Sequence, residues 1–198
     1  VSEASAKGLN VAYEGTFTKD TQTDFSVQLN AAQSAGADLV YLPIYYQPAS
    51  VIFNQAKNLG YAPTFFGVDG MDGILTMEGF DTSLAEGLML MTPFNAWGTD
   101  EKTADFVKEY ESRYGETPNQ FAADGYDCVY AIYNALNAIG ADESMSAEEL
   151  CEALVAEFTS SDFAVDGLTG SGMHWGTNGE DSKAPIVAVI ENAIYVTK

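Results

Sequence analysis

The run Asp38-Leu39-Val40-Tyr41-Leu42-Pro43-Ile44 decides the fold class. It is continuously apolar rather than alternating, the pattern of a strand buried on both faces, as in a parallel sheet. After it, residues 48–59 keep a helical period and Gly60 follows as a stop. A second apolar run, Pro63-Thr64-Phe65-Phe66-Gly67-Val68, ends at Asp69-Gly70, and a third, Gly87 to Thr92, ends at Pro93. Upstream, Leu9 to Tyr13 reads as a strand. Thr23-Asp24-Phe25-Ser26 then opens a helix to about Ala35, with Phe25, Val27, Leu29 and Ala32 on its apolar side and Gly36 ending it. This alternation predicts an α/β fold with a largely parallel sheet.

Past Pro93 the texture changes. Thr99 to Tyr114 and Pro118 to Ile139 read as long amphipathic helices, and Ser146 to Glu157 as a third, opened by the capping-box pattern Ser146-Ala147-Glu148-Glu149. Such helices must pack on a second sheet or on one another. The chain closes with two strands, Ala184 to Ile190 and Ala193 to Val196, joined at Glu191-Asn192 as a hairpin.

The formal charge is −21, from 29 acidic and 8 basic residues, which opposes binding to nucleic acid or to anionic lipid. Hydrophobic residues make up 46% of the chain, enough for one or two cores. No run approaches the roughly 18 apolar residues of a membrane span, and Val1-Ser2-Glu3-Ala4-Ser5 does not read as a signal peptide. Cys128 and Cys151 lack metal-ligand or redox spacing, so two buried free thiols are expected, with a disulfide left open.

In an open parallel sheet, ligands bind beyond the carboxyl ends of the strands. Tyr45 and Tyr46 follow the first buried run and could form a flat apolar wall, or merely cap the sheet. Asp69, in Gly67-Val68-Asp69-Gly70-Met71-Asp72-Gly73, could receive charge-assisted hydrogen bonds from a ligand ammonium. The plainer alternative is a turn aspartate bonding its own backbone. The loop lacks EF-hand spacing, so calcium is a poor candidate there, and with no metal-ligand spacing at the cysteines no metal site is expected. His174, the single histidine, lies outside any nucleophile motif and reads as a loop residue. Pairs such as Glu148-Glu149 read as solvated helix faces, not as a glycosidase pair.

Several stretches taken together resemble the branched-chain amino-acid-binding proteins of ABC importers, the type I periplasmic binding proteins. They are Thr23-Asp24-Phe25-Ser26, Ala37 to Tyr41 leading to Tyr45-Tyr46, and Phe66-Gly67-Val68-Asp69-Gly70. The likeness continues through Ala85-Glu86-Gly87-Leu88-Met89, Thr117-Pro118, Phe121 to Asp127, Gly167-Leu168-Thr169-Gly170 and the terminal strands, and so covers nearly the whole chain in order.

The resemblance implies a solute-binding protein rather than an enzyme, without a cofactor, outside the cytoplasm as a periplasmic or cell-surface lipoprotein, delivering its ligand to an ABC permease. It implies leucine, isoleucine or valine as ligand, on a scaffold that also serves other amino acids and small amides. Asp69 takes the position of the acidic residue that holds the ligand ammonium, where some relatives carry glutamate. Tyr45 and Phe121 fall on aromatics beside the ligand side chain. By the same analogy, residues 1–92 and 173–198 form the second lobe, a three-layer αβα unit lacking its opening strand. Residues 93–172 form the helical end of the first lobe. Family members are nearly twice as long, which implies a partner segment: the missing amino-terminal half, or a second copy exchanging elements. Two other functions fit the fold: a ligand-sensing domain, and a receiver-like phosphoacceptor using Asp69.

Overall fold

The computed structural model describes residues 2–198, and the chain divides into two units, Val1–Thr92 with Val187–Lys198, and Pro93–Ile186. In the first unit a short helix α1 (Ser2–Ala6) precedes an irregular stretch. Leu9 to Tyr13, expected as a strand, forms none, and Leu9, Val11 and Tyr13 are exposed. A strand exists only where a neighbour completes its hydrogen-bond ladder; among the described residues no segment pairs with this one. In α2 (Ser26–Ser34), Leu29 and Ala32 are buried together with Phe25 just before it. Val27 is instead 76% exposed, because two residues along a helix is more than half a turn away from Phe25.

Five apolar segments then build one sheet with the order β1-β2-β3-β4-β5. β1 (Leu39–Leu42) and β2 (Thr64–Gly67) run parallel with Leu39 opposite Thr64 and Leu42 opposite Gly67. β3 (Met89–Thr92) is parallel to β2, Gly67 facing Leu90. β4 (Ile186–Glu191) and β5 (Ile194–Thr197) form the expected antiparallel hairpin, turning through Asn192 and Ala193 at positive φ. β1 is an edge strand rather than one buried on both faces: Leu39 and Tyr41 are 49% and 53% exposed. Between β1 and β2, α3 (Tyr46–Leu59) ends where Gly60 adopts φ 65° and donates back to the Ala56 carbonyl. Phe53 of α3 meets Phe65 of β2 edge-on at 4.8 Å, inside a core that also holds Phe25, Ile52, Leu90 and Tyr195.

The second unit carries the helices. α4 (Glu101–Tyr114) starts where the Asp100 carboxylate accepts from the Thr103 N–H at 2.9 Å. α5 (Gln120–Ala138) is capped by Asn119, and α6 (Ala147–Phe158) by the reciprocal Ser146–Glu149 box. The helices take the alternative of packing on one another, α5 against α6, over a small core of Ala131, Ala135, Phe163, Val165 and Met173. Residues 173–186, assigned from the sequence with the terminal strands, fold here instead. The bridges Val165–Met173 and Trp175–Asp181, with Met173 in this core, hold them. Cys128 and Cys151 are free but exposed, not buried as expected. α5 also leaves Phe121, Val129 and Ile132 exposed. No helix among the described residues is long and apolar enough to cross a membrane.

One carboxylate ties this unit together. Asp127, buried on α5, accepts from the Leu168 N–H at 2.7 Å, the Thr169 N–H at 2.8 Å and the Thr169 hydroxyl at 2.7 Å. A Cβ at Gly167 would stand 2.3 Å from the same carboxylate. Asp127→Ala orphans two buried donors and one half-buried one and is expected to cost about 3 kcal/mol or more in denaturant unfolding followed on the second unit, whereas exposed Glu152→Ala stays within about 0.5 kcal/mol.

Candidate functional site

The parallel pairing of β1 with β2 brings their carboxyl ends, and the loops after them, to one rim of the sheet. From β1 the chain passes through Pro43 and Ile44 to Tyr45, whose extended backbone (φ −78°, ψ 159°) caps α3 and leaves its side chain 62% exposed. Tyr46, already helical, is half-buried. From β2 the chain passes through Val68 into a single 3₁₀ turn, Asp69–Met71.

Asp69 stands exposed on that turn. The turn is closed by backbone alone, the Met71 N–H donating to the Val68 carbonyl at 2.9 Å and the Asp72 N–H to the Asp69 carbonyl at 3.0 Å. Asp24 and Asp81 show what a turn aspartate does when it bonds its own backbone. Asp24 accepts from the Ser26 N–H at 2.9 Å and Asp81 from the Ser83 N–H at 3.1 Å. Hydrogen bonds from Ser26 and Ser83 hold their carboxyls below the usual carboxylate range. Asp69 makes no such bond, and no hydrogen bond or ion pair of the described residues engages its carboxylate. Its acceptor capacity faces solvent.

Three glycines let the two loops close on one another. A Cβ at Gly70 would lie 2.9 Å from the Ile44 carbonyl oxygen and 3.3 Å from the Tyr45 ring. At Gly73, φ is +106° and a Cβ would meet the Tyr46 ring at 2.8 Å. A Cβ at Gly67 would overlap the Met71 side chain. Tyr45 and Asp69 are therefore neighbours through Gly70. Phe121 belongs to the second unit, in the first turn of α5, and is 38% exposed.

Two residues that sequence reasoning passed over complete the loop. Asp72 is 3% exposed and accepts from the Tyr195 hydroxyl at 2.9 Å. Burial, joined by the Asp72 charge, pushes the Tyr195 phenol well above its ordinary value, so the hydroxyl stays a donor. The spacing Asp69-x-x-Asp72 was visible, but which carboxylate turns inward is set by a strand 123 residues away.

Two concavities of the second unit are lined by no residue singled out as a ligand contact. One, of 360 Å³, is polar and bordered by Asp100, Thr103, Thr169, Ser171 and Lys183. Burial works against the Lys183 charge, but the hydrogen bond and attraction of Asp124, 2.9 Å away, outweigh it and raise its pKa. The other, of 620 Å³, is an apolar groove between Leu150, Leu154 and Phe158 of α6 and Trp175. His174 is an exposed loop residue. Among the described residues no group of three or more His, Cys, Asp or Glu could hold a metal ion.

Comparison with known proteins gives a consistent result. The family described as "Periplasmic binding protein" matches residues 2–190. The leucine-, isoleucine-, valine-, threonine- and alanine-binding protein of Pseudomonas aeruginosa is 26% identical over 145 residues, 72% of this chain and 38% of its own. A leucine binding protein from Thermotoga maritima superposes with a TM-score of 0.73 at 26% identity, over 93% of this chain and 50% of its own. A solute binding protein from R. palustris, solved with benzoate, superposes at 0.79 with 19% identity, over 98% of this chain and 51% of its own. The chain thus spans about half the length, or less, of the relatives it matches.

The packing of the two loops separates the roles of adjacent residues. Gly70→Ala drives a methyl into the Ile44 carbonyl and is expected to cost about 1–3 kcal/mol, read by thermal or denaturant unfolding. Asp69→Ala, which removes no internal bond, is expected to change stability by less than about 0.5 kcal/mol.

Proposed function

Because the chain belongs to the periplasmic binding protein family, we propose that the intact protein captures a free amino acid with an aliphatic side chain outside the cytoplasm and delivers it to an ABC permease. The observation that carries this reading is the exposed, unengaged Asp69 carboxylate beside Tyr45 at the carboxyl ends of two parallel strands. A carboxylate in that state is ready to take charge-assisted hydrogen bonds from an ammonium, which run about twice as strong as neutral ones. Tyr45 offers apolar surface for the ligand side chain. The function is binding rather than catalysis, with no cofactor, and the protein is periplasmic or lipid-anchored.

In this reading the first unit is one ligand-binding lobe, and the second is the helical portion of the other. Closure of the lobes desolvates the ligand and creates the form that the permease recognises. The ligand carboxylate is held by groups outside this chain, from the other half of the polypeptide or a second copy exchanging elements. The open edge of β1 and the unpaired, exposed Leu9, Val11 and Tyr13 support such a segment, because backbone at a sheet edge is completed by another strand.

Calorimetric titration of the twenty amino acids into the intact protein, with Asp69→Ala beside it, tests the reading. An aliphatic amino acid is expected to bind at micromolar affinity or tighter and to lose at least about tenfold in the variant, which is about 1.4 kcal/mol. No heat from any amino acid rejects amino-acid capture; tight binding untouched by the substitution rejects Asp69 as the anchor.

A further inference from the structure

Asp69 is the exposed member of a turn whose other carboxylate is buried, and the two differ in every physical respect. Asp69 has no internal partner to hold it. A side chain on a single 3₁₀ turn is only as well placed as the turn itself, and two backbone hydrogen bonds at the surface of a loop do not secure it. Asp72 supplies what Asp69 lacks. Burying a carboxylate is costly unless donors meet it, so the inward rotation of Asp72 depends on a partner fixed in advance. Tyr195 is one such partner: it sits on β5 opposite Ile190 of β4, its ring is buried in the core of the first unit, and its hydroxyl reaches Asp72 at 2.9 Å. Ile190 is in turn bound at both backbone groups, donating to the Leu88 carbonyl and accepting from the Gly87 N–H, each at 2.9 Å. The phenol is thus anchored in the sheet. Gly70 and Gly73 of the same turn rest against Ile44 and Tyr46. The turn is thus held by the terminal hairpin and by the loop after β1.

We propose that the Tyr195–Asp72 hydrogen bond is a positioning device that locks the 69–73 turn and thereby sets the Asp69 carboxylate for an amino group. It rests on the capture function proposed above, and it extends the ligand-recognition machinery to two residues that touch no ligand. Tyr195 acts through Asp72 on the turn, and the turn presents Asp69. The arrangement explains why the terminal hairpin, remote in sequence, bears on a site built from residues 45 and 69.

The test is a double-mutant cycle in the intact protein with L-leucine as the probe, joined to hydrogen exchange on the free protein. Tyr195→Phe keeps the ring and removes the hydroxyl. It is expected to speed exchange of the Met71 and Asp72 amides by at least about tenfold, reporting the loosened turn. It is also expected to weaken leucine binding about fivefold alone, but less than about twofold in an Asp69→Ala background, because residues acting through one another are not additive. A purely structural Tyr195 would give the same loss in both backgrounds, and that additive result overturns the proposal. Unchanged exchange at Met71 and Asp72 overturns it as well. Asp72→Asn, which keeps an acceptor for the phenol, serves as the conservative variant and is expected to retain leucine affinity within about twofold; a loss as large as that of Tyr195→Phe counts against the bond as the operative contact. If the unmodified protein binds no leucine while Tyr195→Phe still frees the two amides, the turn lock stands and the capture reading is what fails.

Discussion

The Ile44 carbonyl leaves no space for a side chain at position 70, and the geometry of the candidate site follows from that approach. Parallel pairing of β1 with β2 sends both chains off the same end of the sheet, but pairing alone would let the two loops diverge. The missing Cβ of Gly70 allows backbone to meet backbone, Gly73 at φ +106° bends the chain over the Tyr46 ring, and Gly67 makes way for Met71. What emerges is a rim on which one tyrosine and one aspartate are neighbours. The glycines are needed for their absence of volume as much as for their dihedral freedom.

Elements with local signals could be read from the chain. Gly60 at the end of α3 and the Ser146–Glu149 box occupy the roles read for them, and the expected starts of α4 and α5 lie within a few residues of the caps Asp100 and Asn119 that the structure reveals. The apolar runs became strands because that composition suits a pleated surface. Features that depend on distant partners could not be read. Leu9 to Tyr13 has the composition of a strand but no neighbour to pair with. β1 has the composition of a central strand and lies at an edge. Tyr45 and Asp69 were visible as residues following strands, while Asp72 and Tyr195, 123 positions apart, meet only in the fold.

The helical unit shows the same dependence from the other side. Its helices are well capped, yet α6 buries no residue fully and α5 leaves Val129, Ile132 and Tyr133 exposed. Capping fixes where a helix begins, at a gain of about 1 kcal/mol, but burial of an apolar face is what holds it to anything. Asp127 compensates locally by tying three donors of the 168–169 segment to α5. The rest of the apolar surface has the amphipathic form of a layer that expects a sheet beneath it, which is in keeping with a chain about half as long as its solved relatives.

Charge adds a further constraint on what the rim can hold. A net −21 draws cations and repels anions, and an exposed carboxylate such as Asp69 concentrates that preference at one point. A free amino acid is a zwitterion without net charge, so the field acts on its two ends in opposite senses. Its ammonium is drawn toward Asp69 and its carboxylate is pushed away. Of the turn's own backbone donors, the Met71 and Asp72 N–H groups are already committed to the Val68 and Asp69 carbonyls. Hydrogen bonds to one exposed charged group are worth about 1.5–3 kcal/mol, short of the roughly 4 kcal/mol that millimolar binding requires. On the capture reading proposed above, the rim is therefore half of a site: its chemistry suits the cationic end of a zwitterion, and affinity in the useful range has to come from donors that meet the anionic end from elsewhere.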